Sequence, residues 1–163
     1  MIIFQAMAIW YKALVLSSLM LIMIIGSGVT GYAKNFSECD QICGKWLSVE
    51  KNLAVQIYRD GGDFRARIIW FKDSDDKSRP METRLDTSNP NKGLRTRKIL
   101  GMSILENLVY KPKTNSWEKG IIYDAVHGRY WDSWAYITPE GALKVTGYWH
   151  FKFIGKTLTF TRL

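Results

Sequence analysis

The sequence predicts an all-β domain, an antiparallel up-and-down barrel of about eight strands, and three observations support this class. Short segments in which apolar and polar residues alternate follow one another from residue 46 to the end of the chain. Turn-forming residues separate these segments at the spacing of hairpins, and no long stretch has a helical period. A closed barrel is favoured over a sandwich because it leaves no strand edge exposed.

The first element is a leader at residues 1–33, which the sequence predicts to be a cleaved signal peptide. Residues 13–25 (ALVLSSLMLIMII) form its apolar region, and Gly31-Tyr32-Ala33 provides a small-x-small cleavage site before Lys34. A retained membrane anchor is the alternative, but the apolar run is shorter than the roughly 20 residues that span a bilayer. We therefore expect a periplasmic or secreted protein with no stable membrane span after cleavage.

The second element is a plug segment at residues 34–43, which carries both cysteines of the chain, Cys39 and Cys43. Two cysteines in an exported chain usually form a disulfide, and one helical turn brings residues four apart to roughly 6 Å between Cα atoms. A disulfide is therefore predicted here. A metal site is not expected, because the histidines His127 and His150 are distant in the sequence and a C-x-x-C spacing is missing, and no cofactor is predicted.

The third element is the barrel domain itself, at residues 44–163. Leu53, Val55 and Ile57 alternate with polar or small residues, residues 60–63 (DGGD) form a turn, and a second alternating strand follows. The later strands are predicted at 103–110, 117–123, 129–137, 143–150 and 153–162. Among their aromatic residues, Trp70, Trp149 and Phe160 are expected to point into the barrel.

The two ends of the barrel domain are predicted to meet. Trp46 lies at the start of the first strand, and Arg162 shares a face with Leu158 and Phe160 in the last. If these strands pair, the guanidinium lies over the indole, a contact that contributes up to about 2 kcal/mol when desolvated. This G-x-W sequence with a closing arginine resembles the lipocalin and fatty-acid-binding superfamily.

A second resemblance runs from Gly44 to Arg162 through several spaced motifs. These are DTSNP at 86–90, LRTRKILG at 94–101, WEKGIIYD at 117–124, GRY at 128–130 and LKVTGY at 143–148, with IGKT at 154–157. In this order they resemble the bacterial secreted family catalogued as domain of unknown function 2147. The resemblance implies a signal peptide and a lipocalin-like barrel, and it implies no established activity. Phe160 departs from it, since the family tends to have tryptophan there.

Charge bears on the choice of partner. The chain has 23 basic and 15 acidic residues, a net charge of +8, and removal of Lys12 with the leader leaves +7. An anionic partner such as a lipid head group is compatible with this balance. The bases are scattered, however, and the densest cluster is short, so we expect the charge mainly to keep a monomer soluble, with no nucleic-acid partner.

A candidate ligand site combines Arg95 and Arg97, on one face of a strand, with the polar aromatic group Tyr123, Asp124, Tyr130 and Trp134. Two guanidinium groups can clamp a carboxylate or phosphate of a small lipid-like ligand. The favoured alternative is that the arginines pair with Asp86 or Asp124 and hold a long loop, predicted at residues 72–93, against the barrel wall.

Three functional classes follow. The first is a carrier with an apolar lumen and Arg95 and Arg97 at its mouth. The second is a cell-envelope interaction protein with a filled barrel. The third, an enzyme, is not predicted, because Asp124 with Asp132 is the only suggestive carboxylate pair and no G-x-S-x-G, H-E-x-x-H or phosphate loop is present. A cavity beneath the arginines would favour the carrier, and a packed interior the interaction protein.

Overall fold

A computed structural model describes residues 37–163, and its eight strands form one closed barrel. The predicted signal peptide lies outside the described residues. The strands are β1 (Gly44–Ser48), β2 (Leu53–Asp60), β3 (Asp63–Phe71), β4 (Ser103–Lys111), β5 (Ser116–Asp124), β6 (Arg129–Ile137), β7 (Leu143–Tyr148) and β8 (Gly155–Arg162). Short 3₁₀ helices lie at Glu38–Ile42, Met81–Thr83 and Lys92–Leu94. No helix within 37–163 has the length and apolar character needed to cross a membrane.

Each strand pairs in antiparallel fashion with the next, and β8 returns to pair with β1. In this closing pair Trp46 lies opposite Arg162 and Ser48 opposite Phe160. The predicted up-and-down barrel is therefore confirmed. The β1–β2, β3–β4, β5–β6 and β7–β8 connections share one end, which we call the open end. The plug segment and the other hairpin turns lie at the opposite, closed end.

The barrel interior is packed with side chains. Its largest fully buried members are Trp46, Trp117, Phe64, Leu108 and Leu143. The edge of the Phe64 ring meets Trp117 at a centroid distance of 6.4 Å, an arrangement that aromatic pairs favour. Toward the open end, residues 99–102 of the β3–β4 connection pack with Ile68, Phe71 and Tyr123 in a second apolar cluster.

The described part of the plug segment, residues 37–43, closes one end of the barrel. Ile42 is fully buried in the core, and the indole N–H groups of Trp46 and Trp117 donate to the carbonyl oxygens of Ile42 and Cys39 at 2.8 and 3.0 Å. A buried indole N–H needs such an acceptor. Because the plug supplies backbone carbonyls to both, it is part of the core.

The predicted disulfide is not present, since both cysteines are free thiols. Cys39 lies within the 3₁₀ helix with its Sγ 3.0 Å from the hydroxyl of Ser37. Cys43 follows the end of that helix in extended conformation. The helical turn on which the prediction relied therefore ends before it reaches the second cysteine.

Arg162 completes the closed end, as predicted. Its guanidinium lies 4.2 Å from the centre of the Trp46 ring, and it donates to the carbonyl oxygens of Cys43 (2.8 Å) and Gln41. Gly44 makes room for it, because a Cβ there would lie 2.5 Å from Nη1 and its φ of +138° disfavours other residues. Arg162 is exposed, so its cation–π contact contributes about 0.5–1 kcal/mol and not the value expected for a desolvated one.

Of the three aromatic residues expected to point inward, only Phe160 is in the core. A bulge in β3 explains why Trp70 does not point into the barrel and is 38% exposed. Ala54 pairs with Trp70 and Val55 with Ile68, so one extra residue of β3 reverses the alternation and places Phe71 in the apolar cluster instead. Trp149 follows the end of β7 at the open end, where its ring meets Trp131 edge-on and stays largely exposed.

We predict that Arg162→Ala lowers the free energy of unfolding by about 2 kcal/mol. The substitution removes hydrogen bonds from a charged donor to two carbonyl groups, in addition to the contact with Trp46. Arg162→Lys is the matched control, and we expect it to restore less than half of the loss because an ammonium lacks the planar fork. Urea unfolding measures both, and wild-type stability in Arg162→Ala would contradict this account of the closure.

Candidate functional site

The candidate residues lie near the open end, where the long loop (residues 72–102) folds against the outside of β5 and β6. Tyr123 on β5 and Tyr130 on β6 lie directly opposite each other. Since Ile122 packs against the core, alternation places both tyrosines on the outer face of the barrel. Tyr123 is nevertheless buried, since the long loop covers it. The site is therefore built between a loop and the barrel wall, and not at the mouth of a lumen.

Asp86 is the hub of this arrangement. Its side chain is fully buried and accepts hydrogen bonds from Tyr123 Oη (2.6 Å), Asn89 Nδ2 (2.7 Å) and Arg97 Nη2 (2.8 Å). Burial alone would raise the pKa of Asp86, but these three donors outweigh it and hold the pKa below its ordinary value of 3.8. Burial and the bond to Asp86 raise the pKa of Tyr123 to about 12.

Both arginines lie in the long loop and not on a strand, and the favoured alternative, pairing with Asp86 or Asp124, holds for Arg97 but not for Arg95. Arg97 forms an ion pair with Asp86, and its guanidinium lies 5.7 Å from the centre of the Tyr123 ring. Arg95 donates from Nε to the carbonyl oxygen of Asn89 at 2.7 Å. The positive charge of Arg97 is thus balanced by a buried carboxylate, and the two guanidinium groups do not form a clamp.

Asp124 serves the β5–β6 turn. Its carboxylate accepts from the backbone N–H groups of Val126 (3.0 Å) and His127 (3.3 Å) and contacts His127 Nδ1 at 2.7 Å. Gly128 completes the turn with a φ of +65°, and a Cβ on it would overlap the carbonyl oxygen of Ser88. This close approach seats the long loop on the turn, so Asp124 and Gly128 position the loop and Asp124 does not join Arg97.

The remaining two candidates also lie on the outer wall. Tyr130 is half exposed and contacts Tyr123 at a centroid distance of 4.8 Å. Trp134 lies farther from the rim, stacked on Tyr136 at 5.1 Å, and Lys152 covers its ring at 5.5 Å. Of the six candidate ligand residues, the structure brings together Arg97, Tyr123 and Tyr130, and places Arg95, Asp124 and Trp134 elsewhere.

Two adjoining surface pockets line this wall and share Ile121 and Tyr130. The first, of about 240 Å³, is lined by Arg97, Ser103, Ile104, Glu106, Ile121, Tyr123 and Tyr130. The second, of about 280 Å³, is lined by Ile121, Tyr130, Trp131, Asp132, Tyr148, Trp149 and His150. Both open to the outside of the barrel. Each contains a carboxylate, Glu106 or Asp132, and the first also contains an arginine that is already paired.

Sequence reasoning missed one prominent feature of the open end, the β7–β8 connection at residues 149–154 (WHFKFI), which we call the flap. Trp149, Phe151, Phe153 and Ile154 are all exposed there. The signal was present, because four large apolar residues among six is unusual for a loop. Extending the last two strands through this segment concealed it.

We predict that Asp86→Asn destabilises the protein by about 2 kcal/mol at pH 7, because a carboxylate with three donors is lost. The pKa of Asp86 in the folded state is below its unfolded value of about 3.9. The stability that the carboxylate contributes is therefore complete above about pH 3.9 and is lost as the pH falls through the folded-state pKa. We expect the difference in the free energy of unfolding between wild type and Asp86→Asn, measured with urea, to be smaller at pH 3 than at pH 7. Glu106→Gln is the exposed control, and an equal difference at both pH values would contradict the role of Asp86.

A second prediction concerns Tyr123. Its pKa of about 12 exceeds the unfolded value of about 10, so the stability contributed by its neutral hydroxyl is full below pH 10 and is lost as the pH rises through 12. The alkaline difference absorbance of wild type minus Tyr123→Phe isolates this titration, and we expect a midpoint near 12. A midpoint near 10 would show that Tyr123 is not bonded to Asp86.

Comparison with known proteins identifies relatives. Residues 44–162 match the family model described as "Uncharacterized protein conserved in bacteria (DUF2147)", the same span that carries the resemblance in the sequence. Among solved structures, the chain is similar to protein HP1028 from the human pathogen Helicobacter pylori, a member of the lipocalin family. The two share 25% identity and a TM-score of 0.62, over 74% of this chain and 82% of that one. No curated protein matches.

Proposed function

Because the chain belongs to the DUF2147 family and its barrel is lipocalin-like, we propose that it is a non-enzymatic binding protein of the periplasm or cell exterior. Its barrel is filled, and it binds its partner through the outside of its open end. A lipocalin-like barrel is a fold suited to binding, but the fold leaves open what is bound and where. The contents of the barrel and the surface around it distinguish the alternatives.

The packed interior is the observation that carries this proposal. At the middle of β5, a Cβ on Gly120 would lie 2.5 Å from Ser133 Oγ and 2.6 Å from Leu108 Cδ1. An eight-stranded barrel has room either for its own side chains or for one small ligand. Here Trp46, Trp117 and their neighbours occupy that space, which favours the interaction protein over the carrier.

Charge at the outer pockets also argues against a small anionic ligand. Arg97 is paired with Asp86, and Glu106 lines the same pocket. An incoming carboxylate or phosphate would therefore have to compete with one buried carboxylate and approach another that is exposed. Catalysis has no better support, since Asp124, half of the only suggestive carboxylate pair, is bonded within its turn.

The features that support an external partner lie together at the open end. The flap exposes four large apolar residues, and monomeric soluble proteins rarely leave such a contiguous group in water. The signal peptide that the sequence predicts at residues 1–33 favours export, and hence a partner at the cell envelope.

We predict that Gly120→Ala destabilises the protein by about 1–3 kcal/mol, because the added methyl overpacks a filled interior. Gly62→Ala is the matched control, since a Cβ at that position would have no atom within 4 Å and its effect should be small. Thermal or urea unfolding measures both. A neutral Gly120→Ala would show that the lumen has free space, as a carrier requires.

Native mass spectrometry tests the proposed function directly. The protein is recovered after export without lipid removal, and we expect the mass of the bare chain together with no saturable binding of fatty acids or lysolipids inside the barrel. If a ligand is found, loss of its binding in Gly120→Ala shows that it occupies the lumen, because the added methyl group would take up its space. A co-purifying acyl ligand that this substitution displaces would overturn the filled-barrel proposal.

A further inference from the structure

The flap exposes apolar surface to an extent that folding of the barrel does not require. Phe153 is 83% exposed, and Trp149, Phe151 and Ile154 are each more than half exposed. The rings of Phe151 and Phe153 stack at a centroid distance of 5.4 Å. Val126, on the neighbouring β5–β6 turn, adds a further exposed apolar side chain at this end.

The flap is held in place although its apolar residues are exposed. Lys152 bridges to Glu118 at 3.3 Å and lies over the ring of Trp134. The backbone N–H of Ile154 donates to the carbonyl oxygen of Phe151 at 3.0 Å, which closes a tight turn over residues 151–154. The apolar residues are thus presented on a preformed turn fixed to the barrel wall, which lowers the entropy lost on binding.

The four connections at the open end carry more basic than acidic residues, ten lysines and arginines against six aspartates and glutamates. No acidic residue occurs between Asp86 and Glu106 or after Glu140. Lys92 and Lys98, in the long loop, are exposed and form no ion pair among residues 37–163. The pockets that share Tyr130 place Arg97 on one side of that ring and Trp149 on the other, so the basic stretch and the flap are neighbours.

Two acidic residues of this wall, Glu106 and Asp132, are set back from the open end, whereas Asp124 at the end of β5 is bonded to His127. Glu106 and Asp132 both lie opposite Ile121, whereas Tyr130 lies opposite Tyr123. Because β5 runs toward the open end, the row of Ile121 is two residues farther from the rim than the row of Tyr123. Exposed carboxylates also occur at the open end, at Glu50 and Glu82, so its attraction for an anionic surface rests on the excess of basic residues there.

From these observations we propose that the open end docks on a membrane surface that contains anionic lipids. The flap enters the boundary between head groups and acyl chains, where aromatic residues are favoured. Lys92, Arg95 and Lys98 lie against the lipid phosphates. The inference rests on the proposed function, since it identifies the external partner, and it selects lipid because exposed aromatics and unpaired lysines on one rim match both layers of a bilayer surface.

Vesicle co-sedimentation tests this with the chain recovered after export. Wild type should bind phosphatidylcholine vesicles containing phosphatidylglycerol at least tenfold more strongly than pure phosphatidylcholine. Phe151→Ser with Phe153→Ser should weaken binding at least tenfold. Leu163→Ser is the matched control, because it removes an exposed apolar residue at the closed end, and it should bind as wild type. Equal thermal stability of the variants excludes misfolding as the cause.

A second pair of variants tests the charge. Lys92→Gln with Lys98→Gln should reduce binding to the anionic vesicles about tenfold and remove most of its salt dependence, whereas Lys45→Gln with Lys113→Gln, at the closed end, should have little effect. Vesicle binding that is absent, or insensitive to both the flap and the Lys92/Lys98 variants, would overturn the inference. If vesicle binding fails but mass spectrometry finds no ligand in the barrel, the proposed function still stands. An acyl ligand in the lumen would overturn both the proposed function and the membrane inference.

Discussion

The contact on which the structure depends is that of Arg162 with Trp46 and the plug segment. One guanidinium covers the indole and bonds two carbonyl oxygens of residues 41–43, and so joins the last strand, the first strand and the segment that precedes them. The indole in turn bonds Ile42. Because this end is sealed by the chain's own residues, the barrel interior is closed to a ligand from this side.

At the open end, Asp86 and its three hydrogen-bond donors form a second polar centre, which joins the long loop to the barrel wall. Asp86 is buried, yet its three donors come from the long loop and from the barrel wall. A buried carboxylate with satisfied hydrogen bonds specifies one arrangement of the groups around it. It fixes the path of a loop of some thirty residues that has little regular structure, and it uses the charge of Arg97 in doing so. Lys92 and Lys98, in the same loop, lie on the surface.

The two ends of the barrel differ in the residues that they expose. The closed end is built from buried aromatic rings and backbone carbonyls, whereas the open end exposes aromatic rings and lysines. Since the interior between them is packed, the barrel serves as a rigid support for its rim. This agrees with the proposed binding surface on the loops of the open end, since a rigid scaffold commonly presents functional residues on loops.

The sequence alone predicted the order of the strands and most of their extent, the closure by Trp46 and Arg162, and the family, because period-two alternation and spaced motifs can be recognised without the tertiary structure. Tertiary structure decided the rest. A single bulge in β3 sent Trp70 outward, and the end of a 3₁₀ helix separated Cys43 from Cys39. Alternation defines two faces of a strand but does not say what covers the outer one. Only the path of the long loop could bury Tyr123 on the outside and neutralise Arg97.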